Sequence, residues 1–231
     1  MNNHKNAAVL VCAGNGSRMK GACKDKLLLE LAGKPVVVHT MLAYDRAEEI
    51  DLLVIVTREE LVSLYQGFKS QYGISKDVVV TVGGATRMDS VMNGVQAVPE
   101  SYELVAIGDG ARPLIRAEEI NRTVAAAKQS GAAALGVHLT DTVKQVRGDA
   151  ILRTVPRADL VGIQTPQVFR RAEYIPLAEK AVASGEEFTD DASIYEYFGK
   201  EVTFVEGRRD NMKITAPEDI PVLKAIMEER K

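Results

Sequence analysis

Short apolar runs alternate with amphipathic stretches along most of this chain. The first run, Ala7 to Cys12, is continuous and stops abruptly at a glycine-containing loop, the pattern of a buried strand bounded by a turn. Leu27 to Ala32 is apolar, and Gly33-Lys34-Pro35 then turns into a helix from Val36 to about Arg46, with Pro35 suited to its first turn. Further strands are predicted at Asp51 to Thr57, Val78 to Val82 and Leu104 to Ile107. Helical periodicity fills the intervals: Arg58 to Tyr72 stopping at Gly73, Thr86 to Val98 closed by Pro99, and Ala117 to Ser130 ending at Gly131. Strands and helices alternating at this interval predict an α/β fold, with a largely parallel sheet covered by helices on both faces.

The rhythm changes after a further strand at Ala132 to Val137. Thr140 to Val155 alternates polar and apolar residues around Gly148-Asp149, which reads as a hairpin not buried in the main sheet. A projecting hairpin needs a surface to cover it, so this segment is expected to be a dimerisation arm. Gly162 to Phe169 returns to the sheet. Helices follow at Arg171 to Ser184 and Asp190 to Phe198, then a strand at Lys200 to Val205 and a closing helix at Pro217 to Glu229.

The 231 residues are 46% hydrophobic and show neither a low-complexity linker nor an internal repeat. We expect one domain over 1–231, with 138–160 as the arm. A net charge of −3, with both signs interspersed, argues against a dedicated nucleic-acid binder. No apolar run approaches the roughly 20 residues of a membrane span, and the N-terminal apolar stretch is too short for a signal peptide. Cys12 and Cys23 form no CxxC pair, so two reduced thiols and a cytoplasmic protein are expected. His4, His39 and His138 have neither metal-ligand spacing nor a neighbouring nucleophile, which sets hydrolase chemistry aside.

In open parallel sheets, ligands bind beyond the carboxyl ends of the strands. Those ends carry the Gly14 loop, Gly83-Gly84 with Arg87 and Ser90, Asp109 with Arg112, and Thr165 with Gln167. The first loop is neither a Walker loop, lacking Gly-Lys-Ser/Thr, nor a dinucleotide fingerprint, since Met19 stands at the third glycine position. Ala13, Gly14, Asn15 and Gly16 instead supply main-chain N–H groups to a nucleoside triphosphate, with Arg18 and Lys26 as cationic clamps. Asp109, between two glycines, suits a Mg²⁺ ion that takes one carboxylate plus phosphate oxygens. As a plainer alternative it is an Asp-Gly turn residue. Thr189, Asp190 and Thr215 read equally well as helix caps, and Lys213 as a surface charge.

With these residues assembled, the chain resembles the 2-C-methyl-D-erythritol 4-phosphate cytidylyltransferases of the non-mevalonate isoprenoid pathway. AGNGSRM, VGGATRMDSVMNG, DGARPLI, DTVKQV, TVPR, QTPQVF, FTDDAS and VEGRRDNMKIT stand in the family's order and spacing across nearly the whole chain. The resemblance implies a Rossmann-like nucleotidyltransferase fold, CTP and 2-C-methyl-D-erythritol 4-phosphate as substrates, Mg²⁺ as cofactor and a homodimer joined by the arm. It puts Arg18, Lys26 and Lys213 in catalysis. Gly83, Gly84 and Ser90 fall on the cytosine-recognising positions. Asp109, Arg112, Thr142, Arg157, Thr165 and Thr189 fall on acceptor-site positions, with Thr142 and Arg157 reaching from the neighbouring subunit.

The implied chemistry is in-line attack by an already ionised phosphate on the α-phosphorus of CTP. Positioning and cations then do the work of catalysis. Three departures from the family pattern stand out: Gly108 replaces the usual histidine, Ala85 a frequent acidic residue, and Lys24-Asp25 a proline before the loop lysine. Lys24 is therefore an alternative to Lys26. A ribitol 5-phosphate cytidylyltransferase and a non-catalytic nucleotide-binding homologue are the competing readings.

Overall fold

The computed structural model describes residues 5–14 and 25–230. In chain order the strands are β1 (Lys5–Val11), β2 (Glu30–Leu31), β3 (Lys34–Pro35), β4 (Leu52–Thr57), β5 (Asp77–Val82), β6 (Tyr102–Asp109), β7 (Ala132–His138), β8 (Val143–Arg147), β9 (Ala150–Val155), β10 (Val161–Arg170) and β11 (Thr203–Glu206). The helices are α1 (Val36–Arg46), α2 (Val62–Gln71), α3 (Arg87–Gln96), α4 (Ala117–Ser130), α5 (Arg171–Ser184), α6 (Ala192–Tyr197) and α7 (Asp219–Glu229). The main sheet has seven strands in the order β11-β7-β10-β6-β1-β4-β5. All pairings in it are parallel except those of β10, which runs antiparallel to both β6 and β7.

Alternation of side chains through the sheet feeds two cores. Ala8, Leu10 and Cys12 of the first strand segment face one layer with Leu53, Ile55 and Ala106, and α1, α2, α4 and α7 cover them. Ala7, Val9, Val54, Val56, Val105 and Ile107 face the other layer, covered by α3, α5 and α6. Strands buried on both faces read as continuous apolar runs, which is why β1 and β4 stood out in the sequence.

Several boundaries move for local reasons. Glu59–Leu61 form a single 3-10 turn, so α2 starts at Val62 and leaves Arg58 extended at the end of β4. Thr86 caps α3 rather than joining it, accepting from the Asp89 N–H while Asp89 answers through its carboxylate. Residues 30–35 form a tight hairpin where the sequence suggested only a turn, with Ala32 and Gly33 at φ +48° and +79°. β8 and β9 pair only with each other among the described strands, around Gly148 at φ +54°. The predicted hairpin therefore stands apart from the main sheet, with Val146, Ile151 and Leu152 exposed.

Close approach of α3 to the sheet depends on Gly94. A Cβ there would lie 2.4 Å from Val9 Cγ1 and 2.6 Å from Val56 Cγ2, both fully buried side chains. Gly94→Ala should cost about 1–3 kcal/mol by overpacking, although alanine is the better helix former. Urea unfolding checks this, and an unchanged midpoint would mean that α3 can back away freely.

Candidate active site

The carboxyl ends of β1, β4, β5 and β6 open onto a cavity of about 610 Å³. Its walls include Ala13 and Gly14 after β1, Arg58 after β4, Gly83 and Gly84 after β5, and Asp109 at the end of β6. Lys26 and Lys213 enter from segments remote in sequence. Residues expected from four separate motifs thus share one concave surface. Arg18, Asn15, Gly16 and Lys24 lie outside the described residues.

Asp109 is the electrostatic centre. Its Oδ1 accepts from Lys213 Nζ at 2.9 Å and its Oδ2 from Arg112 Nε at 3.2 Å. Its main-chain N–H donates to Thr165 Oγ1 at 3.0 Å, which brings β10 into the site although Thr165 does not line the cavity. Burial alone would raise the Asp109 carboxyl, but the charges of Lys213 and Arg112 hold it below its ordinary value. Neither the turn reading of Asp109 nor the surface reading of Lys213 describes this pair. Arg112 is also fixed from behind, its Nη1 donating to the Asn211 carbonyl at 2.7 Å.

Lys26 Nζ donates to the carbonyl of Ile214 at 2.8 Å, the residue next to Lys213. The stem beneath it is pinned by Asp25, which accepts from the Leu27 N–H at 2.9 Å and from Arg58 Nη2 at 2.5 Å. Asp25 is half of the Lys24-Asp25 departure, and it anchors the segment that presents Lys26.

The double glycine is a steric requirement. A Cβ on Gly83 would sit 2.5 Å from Ala13 Cβ, and one on Gly84 would sit 2.2 Å from Asp89 Cβ. Ser90 holds this turn, its hydroxyl accepting from the Gly84 N–H at 3.0 Å and donating to the Thr86 carbonyl at 2.9 Å. Gly108 has a similar explanation. A Cβ there would meet the Tyr44 hydroxyl at 2.4 Å and Leu10 Cδ2 at 2.9 Å, so the α1 tyrosine occupies space that a side chain on β6 would need.

Thr142 and Arg157 are exposed beside the hairpin, and Thr189 is exposed before α6; none lines the cavity of its own chain. Asp190 does act as a cap, accepting from the Ser193 N–H at 3.0 Å. For Thr215, the capping runs the other way: Asp219 Oδ2 accepts from the N–H groups of Thr215 and Ala216. Sequence reasoning missed Arg58, absorbed into a helical pattern, though its position one residue past a strand was a usable signal. It also missed buried Asp191, which accepts from Arg87 Nη2 at 2.6 Å and from Tyr174 Oη at 2.7 Å. No group of three or more His, Cys, Asp or Glu side chains placed to hold a metal occurs among the described residues.

Comparison with known proteins agrees with this geometry. The family model for 2-C-methyl-D-erythritol 4-phosphate cytidylyltransferase matches residues 6–229. The chain belongs to this family. The enzyme of that name from Bacillus cytotoxicus is 39% identical over 219 residues, covering 95% of this chain and 96% of the relative. The Geobacillus kaustophilus relative, with the same name, is 38% identical over 223 residues, covering 96% and 97%. Among solved structures, 4-diphosphocytidyl-2C-methyl-D-erythritol synthase from Anaerococcus prevotii superposes with a TM-score of 0.86 at 29% identity, covering 97% of this chain and 96% of that one. A second, the Thermus thermophilus cytidylyltransferase, gives 0.76 at 29% identity, covering 95% and 98%. Each of these relatives and structures covers at least 95% of this chain, and the fold class expected for the family is the one observed.

The Asp109 pair sets a pH signature. A carboxylate held below its ordinary value of 3.8 stabilises the fold above that pH, and the contribution disappears as pH falls through the lower folded value. Asp109→Asn should cost about 1–3 kcal/mol at pH 7, below the full cost of breaking a buried pair because Lys213 is a third exposed. Urea unfolding of both proteins should show the gap narrowing as pH falls below about 4. A gap that stays constant would mean that charge is not its source.

Proposed function

We propose that this chain transfers the cytidylyl group of CTP to 2-C-methyl-D-erythritol 4-phosphate, releasing pyrophosphate. The observation that carries the reading is the convergence of Lys26, Lys213 and Asp109 on a cavity whose far wall is the Gly83-Gly84 turn. CTP lies with its base against that turn, where main-chain groups read a small ring and the steric closeness of Ala13 excludes a larger one. Its phosphates lie along Ala13, Gly14 and Lys26, and Arg18, outside the described residues, keeps its expected role as the second clamp.

An oxygen of the acceptor phosphate attacks the α-phosphorus, forming a new P–O bond as the bond to the bridging oxygen breaks and pyrophosphate leaves. The attacking group is already ionised near neutral pH, so no general base is needed. Two anions must be brought together, and Lys26 and Lys213 offset their repulsion from fixed positions, Lys26 held by the Ile214 carbonyl and Lys213 by Asp109. Arg112, buried behind the cavity lining, holds Asp109 in line. Asp109 fits a Mg²⁺ site of the kind that uses one carboxylate, phosphate oxygens and water. When bound there, the ion neutralises phosphate charge.

The arm completes the site from a second copy. A lone two-stranded hairpin is marginal in water, and this one exposes Val146 at 59% and Ile151 at 66%. Pairing with a second chain covers those side chains and carries Thr142 and Arg157 toward the partner's cavity. We place the enzyme in the cytoplasm, where Cys12, buried and free, stays a thiol.

Incubation with CTP, Mg²⁺ and 2-C-methyl-D-erythritol 4-phosphate should release pyrophosphate, and ribitol 5-phosphate should not substitute. Lys213→Ala and Lys26→Ala should each lower turnover about 10²–10³-fold, the scale of losing one preorganised charge donor. Near wild-type turnover of Lys26→Ala at saturating CTP would remove Lys26 from catalysis and leave Lys24 as the loop lysine. For the arm, Val146→Asp with Ile151→Asp should shift sedimentation from dimer to monomer and reduce turnover in parallel. A fully active monomer would exclude a shared site.

A further inference from the structure

A second cavity, of about 400 Å³ against about 610 Å³ for the active site, lies between α1, the β2–β3 hairpin and the start of α4. The two cavities share no lining residue. Lys34, Arg46, Arg116 and Arg230 line the second, opposed by Glu118 alone among its lining carboxylates. The chain as a whole carries a net charge of −3, so this concentration of positive charge runs against its average.

The four cations come from four places: the hairpin, the end of α1, the residue before α4, and the end of α7. A basic residue in the last turn of α1 is explained by that helix's dipole. The convergence of the other three on the same hollow is not. Among the described residues, Lys34 and Arg46 have no ion-pair partner. Arg230 is shared between the Leu114 carbonyl, at 3.2 Å, and Asp210, at 2.6 Å, while Arg116 approaches Asp210 only to 4.0 Å. His39 in the same wall is held below its ordinary value, chiefly by burial, with Lys34 and Arg46 adding to the shift. Its Nε2 is engaged by the Leu31 carbonyl at 2.6 Å.

We propose that this hollow is a second anion site, built to take a small polyphosphate of pyrophosphate size. Arginine binds phosphate oxygens through paired N–H groups, and lysine adds a compact point charge. A ligand here draws Arg116 and Arg230 away from Asp210, which competes for them. The site stands on the far end of the loop that begins at Asp109 and Arg112, and it owes nothing to either of them.

Equilibrium dialysis with radiolabelled pyrophosphate, with and without saturating CTP, tests this on the full chain. We expect binding that CTP does not displace. It should weaken tenfold or more in the double variant Lys34→Glu/Arg46→Glu, with cytidylyl transfer unchanged, and weaken with added salt. Asp210→Asn, which releases Arg116 and Arg230 toward the hollow along with Arg208 outside its lining, should tighten it, an outcome that simple misfolding would not produce. No CTP-insensitive binding, or an affinity indifferent to both sets of substitutions, overturns the proposal. Failure of CTP to displace any pyrophosphate would count instead against the nucleotide reading of the first cavity, because the double variant would still lose one equivalent.

Discussion

The contact between Lys213 and Asp109 spans 104 residues and joins the end of a central strand to a segment with no regular structure. Much of the site depends on it. Residues 207–215 have few strand or helix bonds to hold them, yet they supply the Asn211 carbonyl to Arg112 and the Ile214 carbonyl to Lys26. Ile214 in turn donates its N–H to the Ala111 carbonyl, so the segment is stitched to the loop after β6 at several points. The buried carboxylate is costly alone, and two cations with a satisfied geometry make it tolerable.

Sterics supply the second constraint. Four parallel strands end side by side at this edge, and their following residues must pass within van der Waals contact. Gly83, Gly84, Gly108 and Gly110 are the places where a Cβ would collide, with Ala13, Asp89, Tyr44 and Cys12 respectively. These glycines are therefore read less as flexible hinges than as absent side chains. At Gly108 the departure from the usual family residue has a local compensation, since Tyr44 fills the space from α1 with its phenol fully buried.

This division explains what was legible in the sequence. Strands buried on both faces announce themselves as unbroken apolar runs, and the helix bounds of α1, α4 and α5 follow directly from Pro35, Gly131 and Gly185. The polar motifs at strand ends could be assigned to one edge by topology alone. Lys213 could not: in a short extended segment it looks like any surface lysine, and only the family resemblance marked it until its long-range partner Asp109 was seen. Arg58 and Asp191 were hidden for a related reason, because each is defined by a carboxylate or guanidinium far away in the chain. The antiparallel entry of β10 was also not visible, since an apolar strand shows no direction.

The pattern of pairing tells the cations of the active-site cavity apart. Arg58 is matched by Asp25 and Arg87 by Asp191, so these guanidinium groups hold loops in place and add little net charge. Asp109 is shared by Arg112 and Lys213, which leaves a positive excess on that cluster. Lys26 is oriented by the carbonyl oxygen of Ile214, next to Lys213. The two lysines are thus fixed by their surroundings, with arginines acting as the frame. Preorganised charge of this kind requires no reorganisation when two phosphate anions meet, and that is the property the proposed reaction demands most.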